Sequence, residues 1–331
     1  MKELNLSQKI AQMFITGYSG FDFKHCPDFV TLLGQGLGGV IFFTQNIESE
    51  EQFKSEIREM KKSAALPLFF SIDQEGGRVE RTQNIHNGTK YLSAKFARER
   101  GENFLREQTA EMLKELENYG INMNFAPVLD VNTEKENPII NERAYSDKAD
   151  EVISAAETVL SEYKKHKIIP VGKHFPGHGA AKKDSHLTLP EIDVSLEELT
   201  QKHIRPFKSA VEMGLKAVMV AHVHYSAIDE DNIPASLSKN VIQKLLRQDL
   251  RFNGVVISDD MVMGGVQSYS PFEACKKGIE AGVNMFIYRN TDKSVLDLIS
   301  DLETAVRNGE IDEKLINSSV DKIISLKHSI I

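Results

Sequence analysis

The 331-residue chain carries 40 lysines and arginines against 48 aspartates and glutamates, a net charge of −8, with 41% apolar and 27% charged residues. That balance is that of a globular protein with room for one large domain or two ordinary ones; its interspersed charges offer no basic stripe to nucleic acid. The N-terminus is charged and amphipathic, not a signal peptide, and no apolar run approaches the roughly 20 residues of a membrane span. With Cys26 and Cys275 far apart and read as free thiols, the chain is expected to be cytoplasmic, without nucleic-acid or membrane partners.

Eight short apolar runs read as strands: Gln12–Thr16, Gly39–Phe43, Leu68–Ile72, Asn122–Ala126, Ile169–Gly172, Ala217–Val220, Val255–Ile257 and Asn284–Tyr288. Amphipathic stretches separate most of them, among them Glu51–Lys62, Phe104–Tyr119, Asp150–Lys165, Leu199–Met213 and Asn240–Gln248. Gly120, Gly214 and Gly282 stand where a helix would end and turn into a strand. An amphipathic stretch, Asp312–His328, closes the chain. Strands apolar on both faces and alternating with helices predict an α/β fold, a (β/α)8 barrel in preference to an open sheet. With no linker or shift in composition, residues 1–331 read as one catalytic domain.

Polar residues gather just after these strands. Asp73 follows the third, Asp130 and Arg143 the fourth, Lys173 and His174 the fifth, His222 the sixth and Asp259 the seventh. That is the face on which barrels build their sites. Asp73-Gln-Glu-Gly-Gly-Arg78-Val-Glu-Arg81 reads either as a salt-bridged turn or as a cradle for a polyhydroxylated or acidic ligand. In Ile257-Ser258-Asp259-Asp260, strand alternation leads one to expect only one aspartate in the pocket, and a helix N-cap is the plain alternative.

The densest segment is Lys173-His-Phe-Pro-Gly-His-Gly, followed after four residues by Asp184-Ser-His186. Pro176, Gly177 and Gly179 exclude a helix and predict a tight loop. Asp184 can meet His186 within it and orient the imidazole. The wealth of histidine, with the pair His222-Val-His224, leaves a metal-dependent amidohydrolase as one reading. Such enzymes place that pair after the first strand, so His222 is read as a substrate-loop or core histidine. Gly36-Leu-Gly-Gly39 precedes a strand and is not a phosphate loop.

Taken together, these motifs resemble glycoside hydrolase family 3, in its bacterial β-N-acetylglucosaminidase branch. The likeness runs through Ile10-Ala-Gln-Met, Gly38-Gly-Val-Ile-Phe-Phe-Thr-Gln-Asn46, Asp73-Gln-Glu-Gly-Gly-Arg-Val, Asn124-Phe-Ala-Pro-Val-Leu-Asp130 and Asn137-Pro-Ile-Ile-Asn-Glu-Arg143. It continues through the histidine-rich loop, Pro234-Ala-Ser-Leu-Ser238 and Ser258-Asp259. The resemblance implies a retaining enzyme that releases terminal β-linked N-acetylglucosamine, with Asp259 as nucleophile, His186 as general acid/base and Asp184 as its partner. It also implies that Asp73, Arg81, Arg143, Lys173 and His174 hold the sugar, with no metal or organic cofactor. The absence of a second α/β domain and of an export signal points to members that trim anhydro-muropeptides in cell-wall recycling, as a monomer or weak homo-oligomer.

Three stretches depart from the family pattern: Gln45-Asn46 where Arg-Asn is usual, Leu92-Ser93 where Leu-Pro is usual, and Tyr288-Arg289-Asn290, which matches no assigned element. All could alter what lies beyond the first sugar. A phosphorylase of the same family and an inactive carbohydrate-binding barrel stand beside the hydrolase as alternatives.

Overall fold

The computed structural model describes residues 4–330. Eight parallel strands close into a barrel: β1 (Phe14–Thr16), β2 (Gly39–Phe42), β3 (Phe69–Ile72), β4 (Met123–Asn124), β5 (Ile169–Phe175), β6 (Ala217–Val220), β7 (Val255–Asp260) and β8 (Met285–Tyr288). Closure comes from β1 pairing with β8, Phe14 opposite Phe286 and Thr16 opposite Tyr288. The strands are buried almost throughout, as a parallel sheet wrapped by helices requires. One apolar core runs from Ile10 to Leu326 and joins every strand to its helices.

Helices fill the connections for local reasons visible in the chain. Glu50–Ser63 starts on Ser49, whose side chain accepts from the Gln52 amide, and buries Phe53, Ile57 and Met60 on one face. Pro271–Ala281 begins with a Ser270/Glu273 capping box and ends on left-handed Gly282. Glu102–Tyr119 ends the same way on Gly120. On the face opposite the site, the buried Lys327 ammonium donates to Gln12 Oε1 at 2.8 Å and to the Pro67 carbonyl at 2.5 Å. Gln12 in turn donates to the Gly36 and Leu37 carbonyls, so one polar chain closes the barrel floor.

Several boundaries differ from the sequence expectation. Gln12 ends a helix, Leu6–Gln12, and the first strand starts only at Phe14. The fourth strand shrinks to two residues, because Asn122 and Asn124 spend their side chains on neighbouring backbone: Asn122 bonds Phe70 and Leu68, and Asn124 bonds Gln74. The expected helix Leu199–Met213 divides into a π-helical turn, Leu199–His203, and a helix, Arg205–Glu212, started by Pro206. β5 and β7 run further than expected, to Phe175 and Asp260.

The extra length in β7 contains a bulge. Met285 pairs with Ile257 but Ile287 pairs with Asp260, so three steps on β7 oppose two on β8. A similar shift sits at the end of β5, between Gly172 and Phe175. Both irregularities fall where the strands hand over to the site.

Phe53 packs edge-on against Phe42 at a centroid distance of 4.9 Å and contacts Tyr119 at 5.9 Å, linking β2 to two helices. Phe53→Ala is expected to cost about 3–5 kcal/mol, measured as the loss in unfolding free energy by urea titration. A loss below about 1 kcal/mol would mean that these helices do not depend on that ring.

Candidate active site

A cavity of about 290 Å³ opens at the C-terminal end of the barrel. All eight residues singled out from the sequence line it: Asp73, Arg81, Arg143, Lys173, His174, Asp184, His186 and Asp259. They arrive on the ends of β5 and β7 and on the loops after β3, β4 and β5.

The floor is an ionic cluster. Lys173, on β5 and almost fully buried, donates to Asp73 Oδ1 and Glu75 Oε1, both at 2.6 Å. Glu75 also takes Arg143 in a two-point fork, Nε and Nη2 each at 2.8 Å. Burial pushes the Glu75 carboxyl up, but Arg143 and Lys173 outweigh it and hold the group far below the carboxylate range. Glu75 reaches this position because the chain turns sharply at Gly76 and Gly77, which have φ of +95° and +58°. A side chain at either would also strike the backbone or side chain of Leu92 and Ser93. Arg81 lies over the Phe43 ring, with its Nη2 3.7 Å from Asp73 Oδ2.

A second carboxylate fixes the loop after β5. Asp130 is fully buried and accepts from the His174 ring at 2.7 Å, the His174 amide at 3.3 Å and the His178 amide at 2.6 Å. Burial raises its pKa, yet His174 and His178 hold it below the ordinary value. His174 Nε2 then sits 3.3 Å from Arg143, joining this anchor to the ionic floor. His178 reaches onward to Ser185 Oγ at 2.9 Å, one residue before His186.

Asp184 and His186 meet as their spacing predicts. His186 Nδ1 lies 2.7 Å from Asp184 Oδ1, which also accepts the His186 amide at 2.8 Å. Both side chains remain accessible, 51% for His186 and 33% for Asp184. The loop is tied from the far side as well. The Gly264 amide donates to the His186 carbonyl and the Gly265 amide to the Ser185 carbonyl, both at 3.0 Å. The approach is close enough that a Cβ on Gly264 would sit 2.3 Å from Leu187 backbone.

Asp259 faces the cavity from the β7 bulge, and the Asp260 amide donates to it at 2.8 Å. Burial would raise its pKa, but His174, the Asp260 amide and Lys173 hold it below the ordinary aspartate value, so it is ionised at neutrality. The expectation that only one of the two aspartates lines the pocket is corrected: both do, since the bulge breaks the strand's alternation. Asp260 is bound by Arg289 Nε at 2.5 Å. His222 is a core residue. Its Nε2 donates to the Asp260 carbonyl at 3.2 Å, which makes Nδ1 the acceptor for Ser236 Oγ at 2.7 Å. Neither ring nitrogen is left for a metal. His224 bonds the Ile233 carbonyl, away from it.

Sequence reasoning named Asp130 without a role, flagged Arg289 only within a departure from the family pattern, and gave no role to Glu75, His178 or Ser185. Glu75 was open to detection, as the carboxylate beside a Gly-Gly turn. Arg289 carried no further signal, because its partner Asp260 lies on another segment of the chain.

The sequence matches the family described as "Glycosyl hydrolase family 3 N terminal domain" over residues 5–326. It is 35% identical over 266 residues to a β-hexosaminidase of Idiomarina loihiensis, covering 78% of each chain. It is 29% identical over 318 residues to β-hexosaminidase A of Pseudoalteromonas piscicida, covering 88% of this chain but 53% of that protein. The fold superposes with a TM-score of 0.94 on a glycoside hydrolase family 3 β-N-acetylglucosaminidase from Paenibacillus, at 32% identity, covering 99% of this chain and 63% of that one.

The buried histidines give the fold a pH signature. Burial first, and then the charge of His174, push His178 down to about 4; burial moves His203 and His222 in the same direction. An unfolded histidine titrates near 6.5, so between about pH 6.5 and 4 the unfolded chain binds protons that the folded chain refuses. Stability is expected to fall as pH drops through that window, His178 alone contributing on the order of 2–3 kcal/mol by about pH 4.5. Urea midpoints at neutral and acid pH should converge in His178→Gln; an unchanged slope would exclude His178 as the source.

Proposed function

This chain belongs to glycosyl hydrolase family 3, and from that membership we propose that it is a β-N-acetylhexosaminidase working with retention of configuration. The observation that carries the mechanism is that an ionised Asp259 and the Asp184-oriented imidazole of His186 line one cavity, on segments joined by hydrogen bonds. One supplies a nucleophile and the other a proton, the two functions that a retaining mechanism requires.

In the first step an Asp259 oxygen attacks C1 of the terminal sugar. The glycosidic C–O bond breaks, and the leaving oxygen takes a proton from His186 Nε2. Asp184, bonded to Nδ1, orients the ring so that Nε2 is the atom that delivers the proton. In the second step the neutral imidazole removes a proton from water, the oxygen bonds C1, and the ester to Asp259 breaks. Two displacements restore the β configuration, and His186 ends protonated as it began.

Asp73, Arg81, Arg143, Lys173 and His174 hold the sugar. Lys173 directs two of its three N–H bonds to Asp73 and Glu75, leaving one for a substrate hydroxyl. Asp73 keeps acceptor capacity for a further hydroxyl. The likeness of the loop motif to the bacterial N-acetylglucosaminidase branch extends the proposal to the substrate: N-acetylglucosamine at the non-reducing end of peptidoglycan fragments, removed during wall recycling in the cytoplasm.

Aryl glycosides test the assignment. A chromogenic β-N-acetylglucosaminide is expected to be hydrolysed well ahead of the matching β-glucoside; the reverse order would overturn the substrate assignment. In His186→Ala, kcat/KM should fall about 10²–10⁴-fold for poor leaving groups and far less for dinitrophenolate, which needs no proton. An equal loss across the series would remove His186 from the acid role. Asp259→Ala should abolish the glycosyl-enzyme adduct seen by mass spectrometry on the Asp259 peptide. Product analysis in phosphate buffer is expected to give free sugar; sugar 1-phosphate as the main product would assign a phosphorylase instead.

A further inference from the structure

Arg289, directly after β8, has a geometry that the catalytic scheme does not use. Its Nε donates to Asp260 Oδ2 at 2.5 Å, and this is its one side-chain hydrogen bond to protein among the described residues. The two terminal nitrogens, Nη1 and Nη2, have no protein acceptor, and the side chain is 45% exposed. Its main chain is fixed from both sides. Gly17 donates to the Tyr288 carbonyl at 3.0 Å, and Thr291 Oγ1 donates to the Gly17 carbonyl at 2.9 Å. A Cβ on Gly17 would come within 2.1 Å of the Arg289 carbonyl oxygen, so the backbones touch. The guanidinium is therefore held at its root and along one edge, with the end-on fork left open.

Its location gives that fork a purpose. Arg289 lines the catalytic cavity and also an adjoining groove of about 550 Å³, which runs between Met261, Val262 and Tyr269 after β7 and Asn290 and Ser294 after β8. Among the described residues it is the one common to both linings, and it is bonded to Asp260. Asp260 and its neighbour Asp259 are carboxylates, which by themselves would repel an anionic leaving group. An immobilised guanidinium with two parallel N–H donors matches the geometry of a carboxylate.

We propose that Arg289 determines leaving-group specificity, favouring a glycoside whose leaving group carries a carboxylate bound end-on by Nη1 and Nη2. This rests on the glycosidase reading above. The carboxylate is either a substituent of the leaving sugar itself or part of a longer acidic chain that extends into the groove.

The test uses paired aryl β-N-acetylglucosaminides that differ only in carboxylate against carboxamide, so that each variant is judged by its acid-to-amide ratio of kcat/KM. One pair carries the group on the ring and a second carries it at the end of a glycyl amide, which separates the two sources. In at least one pair the ratio is expected to fall about tenfold in Arg289→Met and to be kept only in part in Arg289→Lys, which supplies the charge but not the two-point fork. The wild-type ratio should shrink as salt rises from about 0.05 M to about 0.5 M. Loss of the Asp260 contact acts on acid and amide alike, so it cancels in the ratio. Should Arg289→Met be inactive, Arg289→Lys and the wild-type salt dependence decide. Ratios unchanged by substitution, or independent of salt, in both pairs would overturn the proposal while leaving the glycosidase assignment intact. Failure of the wild-type protein to hydrolyse the carboxamides would sink that assignment, and this proposal with it.

Discussion

Everything at the mouth of this barrel depends on one buried carboxylate holding two cations. Glu75, carried past β3 by a glycine pair, binds Arg143 from the β4 loop and Lys173 from β5. Each of these charges alone would be costly to bury. Removing Glu75 would leave two cations in the interior, with Asp73 the carboxylate still bonded to Lys173. The cluster thus makes the relative position of three consecutive strand ends a single condition. Asp73 is bonded to Lys173 and His174 approaches Arg143, so the cations that line the cavity are themselves positioned by Glu75 beneath them.

The same economy orders the charges of the site. Asp259 stays ionised at the cavity wall because His174, Lys173 and a main-chain amide face it. Its neighbour Asp260 is pushed the other way, burial raising its pKa against the pull of Arg289. Two adjacent aspartates are therefore given different electrostatic surroundings by different partners, one facing the cavity and the other bound by the arginine directly after β8. This division follows from the bulge in β7, which turns both toward the cavity.

Much of this was legible in the chain. Eight apolar runs alternating with amphipathic stretches pointed to the barrel, and the polar residues following them fell on one face. Asp73, Lys173, His174 and Asp259 line one cavity because strand ends in a barrel converge, whereas Arg81, Arg143, Asp184 and His186 reach it on loops. What stayed hidden was non-local. Nothing in Met285–Tyr288 foretells that its pairing will skip a residue of β7. The shortness of β4 depends on asparagine side chains taking over backbone bonds. The value of Glu75 and Arg289 lies wholly in partners distant in sequence. Periodicity reports which face a residue takes, not which charge it will meet.

The pair of bonds from Gly264 and Gly265 to His186 and Ser185 uses main-chain atoms alone. Alignment between the loops bearing His186 and Asp259 is therefore indifferent to most side chains in either segment. Exposed residues of the loop such as Lys182 and Lys183 can be exchanged without disturbing that alignment, whereas Ala181 and Val266 are packed in the core. The scaffold separates a rigid reactive edge from a rewritable rim, an arrangement suited to grafting new recognition loops onto an unchanged chemical step.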